Sequence, residues 1–395
     1  MKVLAVAPEP FFTPRGTPFS VYYRTRVMGE RGAVVDLLTY GEGQDVELPN
    51  GRLVRIPRLR FLEPVKTGPS VAKALLDGIM VLWTVGLLAR HRYDVVHAHE
   101  EAVFWCRLLK PLFRFKLIYD MHSSLPQQLC NFSYSQSRML VKAFERLEAK
   151  SLERSDAIVT ICPSLRDQVV NHNGTAKRQV MIENSLCEPV RVKGEARCKS
   201  EAPHTLANHA EDTVPSSPLV LYTGTLEPYQ GIDLLLASMP RLLKLHSTVT
   251  LMLVGGTQAQ VERYRDKAES MGVGGYVRFT GRVEQQHARP YRQATDVLVS
   301  PRAQGTNTPL KIYEMLASGR PIVATAIEAH TQVLTNEVCF LAEPEASALA
   351  DAMSRALTDR PEARQRAENA RQLYERAYAR SAYEKKIDHM MDLVR

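Results

Sequence analysis

Short apolar runs alternate with longer amphipathic stretches along the first half of the chain. Residues 2–7 (KVLAVA) form a run of strand length, 18–31 read as a helix, and 34–40 (VVDLLTY) and 53–56 as further strands. The pattern then predicts a long helix over 70–90, strands at 94–98 (DVVHA) and 116–119, and a helix over 135–154. A strand at 157–160, a helix from Pro163 and a strand at 180–182 complete this half. Strands that are apolar almost throughout, separated by helices, imply a parallel sheet covered on both faces. Residues 187–217 break the pattern: Pro, Ser, Gly and charge without apolar periodicity predict an exposed linker. The alternation restarts with strands at 219–222, 248–254, 277–279, 297–299 and 321–324, and helices at 232–245, 258–271, 284–293 and 310–318. Residues 346–395 read as helical, with a break at Pro361. The expected fold class is α/β: two tandem Rossmann-like, doubly wound domains (1–186 and 218–375) with a C-terminal helical tail.

A length of 395 residues fits two domains of this kind. With 45% hydrophobic and 24% charged residues, the composition excludes disorder, collagen and coiled coil. The most apolar stretch, 78–89 (GIMVLWTVGLLA), is shorter than the roughly 20 residues of a membrane-spanning helix. It reads as a core helix of the first domain. The formal net charge is +8, and residues 1–190 hold 25 basic against 19 acidic residues. Arg52, Arg55, Arg58, Arg60, Lys66 and Lys73 face Glu63 alone, a patch suited to phosphates, anionic lipid or nucleic acid, or else a solvated loop. Six scattered cysteines without a Cys-x-x-Cys pair fit a reducing compartment. The five apolar residues after Lys2 are too few for a signal-peptide core, so the expected location is the cytoplasm or the inner face of a membrane.

Open parallel sheets bind ligands beyond the carboxyl ends of their strands. Arg15, Gly16 and Thr17 follow the first strand at the foot of a helix, where N–H groups can meet an oxyanion. The chain has neither Gly-x-Gly-x-x-Gly nor Gly-x-x-x-x-Gly-Lys, which removes support for dinucleotide dehydrogenases and P-loop enzymes. His97 and His99 are a candidate metal pair without a third ligand at convincing spacing, and Asp-x-Asp is absent, so no metal is expected. His122 lies beyond the next strand, placed to bond a sugar hydroxyl, carry a proton or satisfy loop backbone. In the second half, Gly224 and Thr225 follow one strand, and Gly281, Arg282 and Val283 follow another.

Residues 300–319 (SPRAQGTNTPLKIYEMLASG) carry the densest signal. They leave a strand, pass Gly305, Thr306, Asn307 and Thr308, and enter a helix at Pro309 and Leu310 with Arg302 and Lys311 alongside. Hydroxyls, N–H groups and cations gathered at a helix start suit phosphate oxygens. Glu314, about one turn deeper, offers a carboxylate that matches the vicinal hydroxyls of a ribose.

This stretch and the tandem layout resemble the retaining glycosyltransferases of family 4, which have the glycosyltransferase-B (GT-B) fold. The likeness also includes DVVHAH, YDMHSS, YTGTLEPYQGIDLLL and PLKIYEMLASGRPIVAT. It implies an enzyme that moves a sugar, with retention and without metal or cofactor, from a nucleotide-sugar (a UDP-sugar) bound by the second domain. The first domain would take the acceptor, which the sequence leaves open among lipid-linked, saccharide and small-molecule classes. The final helix, 376–395, would cross back to the first domain. By position, Glu314 would hold the ribose and residues 281–283 the base. Gly16 and the helix start at 308–310 would meet the diphosphate or sugar, and His122 the transferred sugar. Thr306, Thr225 and Gln230 stand where the family commonly has Glu, Arg and Lys. Arg302 and Lys311, with Arg15, are therefore expected to supply the cations. The departures also motivate an alternative, a non-catalytic nucleotide-sugar-binding subunit. Nucleic-acid binding lacks the expected aromatic interleaving. Peripheral membrane contact through the first domain is a further expectation.

Overall fold

The computed structural model describes residues 1–13, 16–62, 65, 70–124, 138–172, 174–186, 188–190, 192, 218–283 and 288–395. Two compact units emerge, one built from Met1–Leu186 with Arg380–Arg395, the other ending at Ala379. The sheet of the first unit has strands β1 (Lys2–Ala7), β2 (Val34–Thr39), β3 (Gly51–Arg55), β4 (Val95–His99), β5 (Lys116–Met121), β6 (Ala157–Thr160) and β7 (Gln179–Met181). Their order is 3-2-1-4-5-6-7, with all neighbours parallel. Helices α1 (Gly16–Glu30), α2 (Val71–Arg90), α3 (Ala102–Phe113), α4 (Arg138–Arg154) and α5 (Pro163–Val170) connect them.

The second unit repeats the plan. Strands β8 (Leu219–Thr223), β9 (Thr250–Val254), β10 (Val277–Gly281), β11 (Val297–Ser300), β12 (Ile322–Thr325) and β13 (Phe340–Ala342) lie in the order 10-9-8-11-12-13, again parallel. Its helices are α6 (Ile232–Leu245), α7 (Gln258–Ser270), α8 (Ala288–Ala294), α9 (Leu310–Ala317), α10 (Glu328–Thr331), α11 (Ala346–Thr358) and α12 (Arg360–Ala377). The last helix, α13 (Arg380–Asp392), puts Tyr383, Ile387, Met390 and Met391 into the apolar core of the first unit. Both sheets reverse direction of winding beside their first strand, between β1 and β4 and between β8 and β11. These are the topological switch points where such sheets bind ligands.

The two doubly wound sheets and the helical tail follow the sequence pattern, with informative differences. Strand β13 and helix α3 were not read from the sequence. Pro361 itself does not break the tail: it sits in the first turn of α12, where a missing N–H costs nothing, and the tail is interrupted at Asp359, whose carboxylate caps Glu362 N at 3.0 Å, and again at Tyr378 and Ala379. Parts of two predicted helices, 135–137 and 284–287, lie outside the described residues, as does most of the predicted linker. Where the linker is described it is not freely exposed, since Val190 and Val192 pack on the first core and Val192 bridges Val46.

Two readings of the basic, apolar segment need correction. Helix α2 is not a core helix. Only Leu76, Met80, Thr84 and Leu88 are buried, while Leu82 is 68% exposed. Nor does Glu63 stand alone against all of these cations: Arg52 forks onto Asp36 at 2.9 and 3.0 Å, and Lys73 pairs with Glu101, while Lys66 lies outside the described residues. Arg55 meets Asp45 at 2.9 Å and the Gln44 carbonyl at 2.7 Å.

Candidate functional site

At the switch point of the second unit, the loops after β8, β9 and β11 approach as bare backbone. A Cβ on Gly255 would meet the Gly224 carbonyl at 2.0 Å, and one on Gly231 the Pro301 carbonyl at 1.8 Å. Gly224 itself has φ +142°, and a Cβ there would lie 3.2 Å from the Lys311 ammonium. Side chains are excluded here because backbone and a buried cation already fill the space.

Lys311 is the centre of this site. Its Nζ is buried, has no hydrogen-bond acceptor among the described residues, and rests 4.1 Å from the Tyr222 ring centroid. Burial, aided by the charge of Arg302, pushes its pKa down to about 7. The Thr308 hydroxyl is likewise buried without a partner. Helix α9 starts between them, and its N-cap, Pro309, supplies no capping side chain. First-turn N–H groups, an orphan hydroxyl and an unneutralised ammonium thus share one place, a combination that an oxyanion satisfies.

Arg302 is fixed by its own loop. Nε donates to the Gln304 carbonyl at 2.7 Å and Nη1 to that of Asn307 at 3.3 Å, with the guanidinium over the Tyr229 ring at 5.3 Å. Gly305 closes the loop around it, since a Cβ there would strike Arg302 Nη2 at 2.5 Å. Glu314 meets Arg292 of α8 at 3.1 Å, a partner the sequence did not suggest. Leu310 precedes Lys311 in the first turn, Thr225 is exposed and accepts the Tyr222 hydroxyl at its carbonyl (2.6 Å), and Gly281 accepts Gly255 N–H at 2.9 Å. Arg282 is exposed and Val283 half-buried just beyond β10. Gly224, Arg302, Thr308, Lys311 and Glu314 are thereby gathered at one switch point.

The first unit concentrates a different chemistry at the same topological place. His97 and His99 on β4 and Asp120 on β5 are buried side by side because the register sets His99 opposite Asp120. Asp120 Oδ2 lies 2.9 Å from His97 Nε2, 3.4 Å from His99 Nδ1 and 3.1 Å from Arg24 Nε, which α1 delivers. His122 Nε2 is 3.4 Å from Asp120 Oδ1 and 3.2 Å from His99 Nδ1. Arg24 is further held by the Ile182 carbonyl at 2.7 Å. Burial opposes the charge of Asp120, but Arg24 and the surrounding imidazoles keep its carboxyl well below the usual range. His122 is pushed to about 4 by burial, with Arg24 and His97 adding to it against the pull of Asp120. It is a neutral hydrogen-bonding group near pH 7.

Sequence reasoning missed Asp120 and Arg24, and Asp120 is the third donor absent from the histidine pair. The donor atoms of His97, His99 and Asp120 lie within 4.8 Å of one another. A guanidinium 3.1 Å from the same carboxylate oxygen repels a divalent ion, so the group is a compensated ion network. Next to it, Glu100 has left-handed backbone (φ +50°) and accepts the Ser123 hydroxyl at 3.1 Å. Burial and Glu101 raise its pKa to about 8. Asp77, bonded by Tyr40, is raised to about 7 by burial and Glu101. Gly16 opens α1 with no atom within 4 Å of its would-be Cβ, and Thr17 follows it; Arg15 lies outside the described residues.

Two parallel doubly wound units, one with an anion-seeking switch point, define a GT-B protein. Residues 21–185 match the family described as Glycosyl transferase 4-like domain, and residues 217–359 the family described as Glycosyl transferases group 1. The chain belongs to this glycosyltransferase family and is an enzyme of that class. It is 28% identical to the phosphatidyl-myo-inositol mannosyltransferase of Mycobacterium leprae over 89% of this chain and 86% of that protein. Sucrose-phosphate synthase from Thermosynechococcus elongatus superposes with a TM-score of 0.74 at 20% identity, covering 99% and 98% of the two chains. Anabaena HepE gives 0.73 at 15% identity, covering 99% and 100%.

Proposed function

We propose that the protein transfers a sugar from a nucleoside diphosphate sugar, a UDP-sugar, to a hydroxyl acceptor with retention of anomeric configuration and without a metal. The buried Lys311 ammonium, lacking an acceptor beside the start of α9, is the observation that carries this reading. HepE, with the same fold, is known in complex with UDP and with UDP-glucose, which supports the choice of base.

As the glycosidic bond to the diphosphate breaks, negative charge grows on the leaving phosphate. Lys311, Arg302 and the first-turn N–H groups of α9, with Asn307 to Leu310 lining the turn, stabilise that charge better than the ground state. Glu314 accepts the ribose hydroxyls with the oxygen capacity that Arg292 leaves, and backbone at Gly281, Arg282 and Val283 meets the base. Gly224 and Thr225 border the diphosphate. In the first unit, neutral His122 is assigned a hydrogen bond to a substrate hydroxyl, and Gly16 and Thr17 at the start of α1 are assigned to an oxyanion; Arg15 lies outside the described residues. The departing phosphate takes the acceptor proton, so no carboxylate nucleophile is needed. The acceptor faces Glu100 and Asp77, whose protonated forms donate hydrogen bonds to hydroxyls. The exposed apolar side of α2 (Val71 89%, Leu82 68%) favours peripheral contact with a membrane.

A thermal-shift screen of nucleoside diphosphates and their sugars tests the reading. UDP and one UDP-sugar should raise the melting temperature of the wild type, and Lys311→Met should abolish the rise. An unchanged rise in Lys311→Met removes the assigned site. Binding without turnover against any acceptor would instead favour a non-catalytic donor-binding subunit.

A further inference from the structure

Among the described residues of the first unit, one poorly compensated charge lies far from the switch point. Arg107 on α3 is 6% exposed, and its Nε is buried without a hydrogen-bond partner. Among the described residues, no carboxylate is paired with it. Two cavities, of about 710 and 590 Å³, meet at its side chain between α3 and α4. The first is also lined by Lys110, Arg114 and Arg154, the second by Arg146, Lys150 and Arg154. Of the two acids there, Asp156 is already engaged by Lys110 and by Leu117 N–H, both at 2.7 Å, and Glu153 is exposed. Arg178, on the far wall, is tied to backbone carbonyls of Gly174, Glu153 and Ser155. Burial and the charge of Arg154 push the Arg107 pKa down, as expected of a cation that lacks its counterion.

A guanidinium whose Nε is buried and unpaired among other cations is costly, and its planar fork matches phosphate oxygens. The groove lies where Lys116 opens β5, Asp156 precedes β6 and Arg178 precedes β7. It is therefore at the amino ends of the strands, opposite His99 and His122. We propose that Arg107, with Arg114, Arg146, Lys150 and Arg154, forms a second anion site that binds a phosphate group. The phosphate is carried either by an anionic lipid headgroup or by a soluble phosphate. Leu108 and Leu112, 60% and 73% exposed on the same helix, are positioned for the lipid source. The site is independent of the donor-site assignment, because none of its residues takes part there.

The test uses the full chain carrying Lys311→Met, so that the second unit's cation does not contribute, and adds Arg107→Gln or Arg154→Gln. One arm follows melting temperature with inorganic phosphate at constant ionic strength. The other follows co-sedimentation with phosphatidylglycerol or phosphatidylcholine vesicles. Arg107→Gln should weaken binding of phosphate or of phosphatidylglycerol vesicles about tenfold, the loss of one charged contact. It should also melt higher than its parent in phosphate-free buffer, because an unpaired charge has gone. A response to inorganic phosphate assigns a soluble ligand, and a response confined to phosphatidylglycerol assigns the headgroup. Should Arg107→Gln unfold, Arg154→Gln on the exposed wall gives the same reading with a smaller loss. The proposal is overturned if the folded variants bind both probes as their parent does, or if the parent binds neither.

Discussion

The two switch points share a topology and invert each other's electrostatics. In the first unit, one carboxylate, Asp120, collects Arg24 and three imidazoles, so charge is answered by charge inside the protein. In the second, the Lys311 ammonium and the Thr308 hydroxyl are buried with no hydrogen-bond partner among the described residues. A self-compensated cluster is architecture that orients a side chain, here His122. An uncompensated one calls for a partner, and in the function proposed above that partner is the ligand. The fold supplies the place in both cases, and the residue types decide what it does.

The comparison breaks most sharply at Asp120. Asp120→Asn leaves Arg24 buried without its counterion and should cost about 3–5 kcal/mol in urea unfolding. A loss below about 1 kcal/mol would mean the network is not what holds the first site together. Lys311→Met should do the reverse, cutting sugar transfer by about 10²- to 10³-fold while leaving the urea midpoint equal or higher. Near-normal turnover would show that Arg302 and backbone suffice. Glu314→Gln should raise the donor KM about tenfold and narrow the preference for the ribo- over the 2′-deoxy-nucleotide donor. An unchanged donor KM with an unchanged preference for the ribo-nucleotide donor would remove the ribose contact.

The smallest effects are in pH dependence, and the two sites should slope oppositely. Lys311 has its folded pKa lowered to about 7 from an ordinary value near 10.5. Its charged form is disfavoured by folding, so the cost is fully present below pH 7 and fades as pH rises from 7 towards 10.5. Glu100 and Asp77 are raised to about 8 and about 7. Their contribution is fully present below the unfolded carboxyl range and is lost as pH climbs through 7 to 8. Melting curves between pH 5 and 9 should therefore steepen their fall in Lys311→Met and flatten in Glu100→Gln. Donor affinity should fall above pH 7, since binding must return the proton to Lys311. An affinity independent of pH from 6 to 9 would contradict that.

The sequence shows the second site far better than the first, for a physical reason. Residues 302–314 form a single loop and helix start, so their gathering is local and can be read from spacing. The Asp120 network is assembled by the β4–β5 register and by α1, and no local pattern in KLIYDM announces it. A carboxylate inside an apolar strand was the available signal, because it demands a buried partner. Arg292 reaches Glu314 from another helix and was equally out of view. Apolar content alone could not tell whether α2 faces a core, since packing decides that. The charge count along the sequence pointed to 52–73, where Arg52, Arg55 and Lys73 pair with Asp36, Asp45 and Glu101, whereas Arg107 has no carboxylate partner among the described residues.

The final helix carries a consequence for synthesis. Tyr383, Ile387, Met390, Met391 and Val394 close the apolar core that begins with Val3. During translation the amino-terminal lobe emerges with that seam uncovered and stays so while some two hundred more residues are made. A nascent chain halted near Ala379 would contain every residue proposed to bind the donor yet expose a greasy furrow on its oldest part, a ready mark for chaperones and proteases.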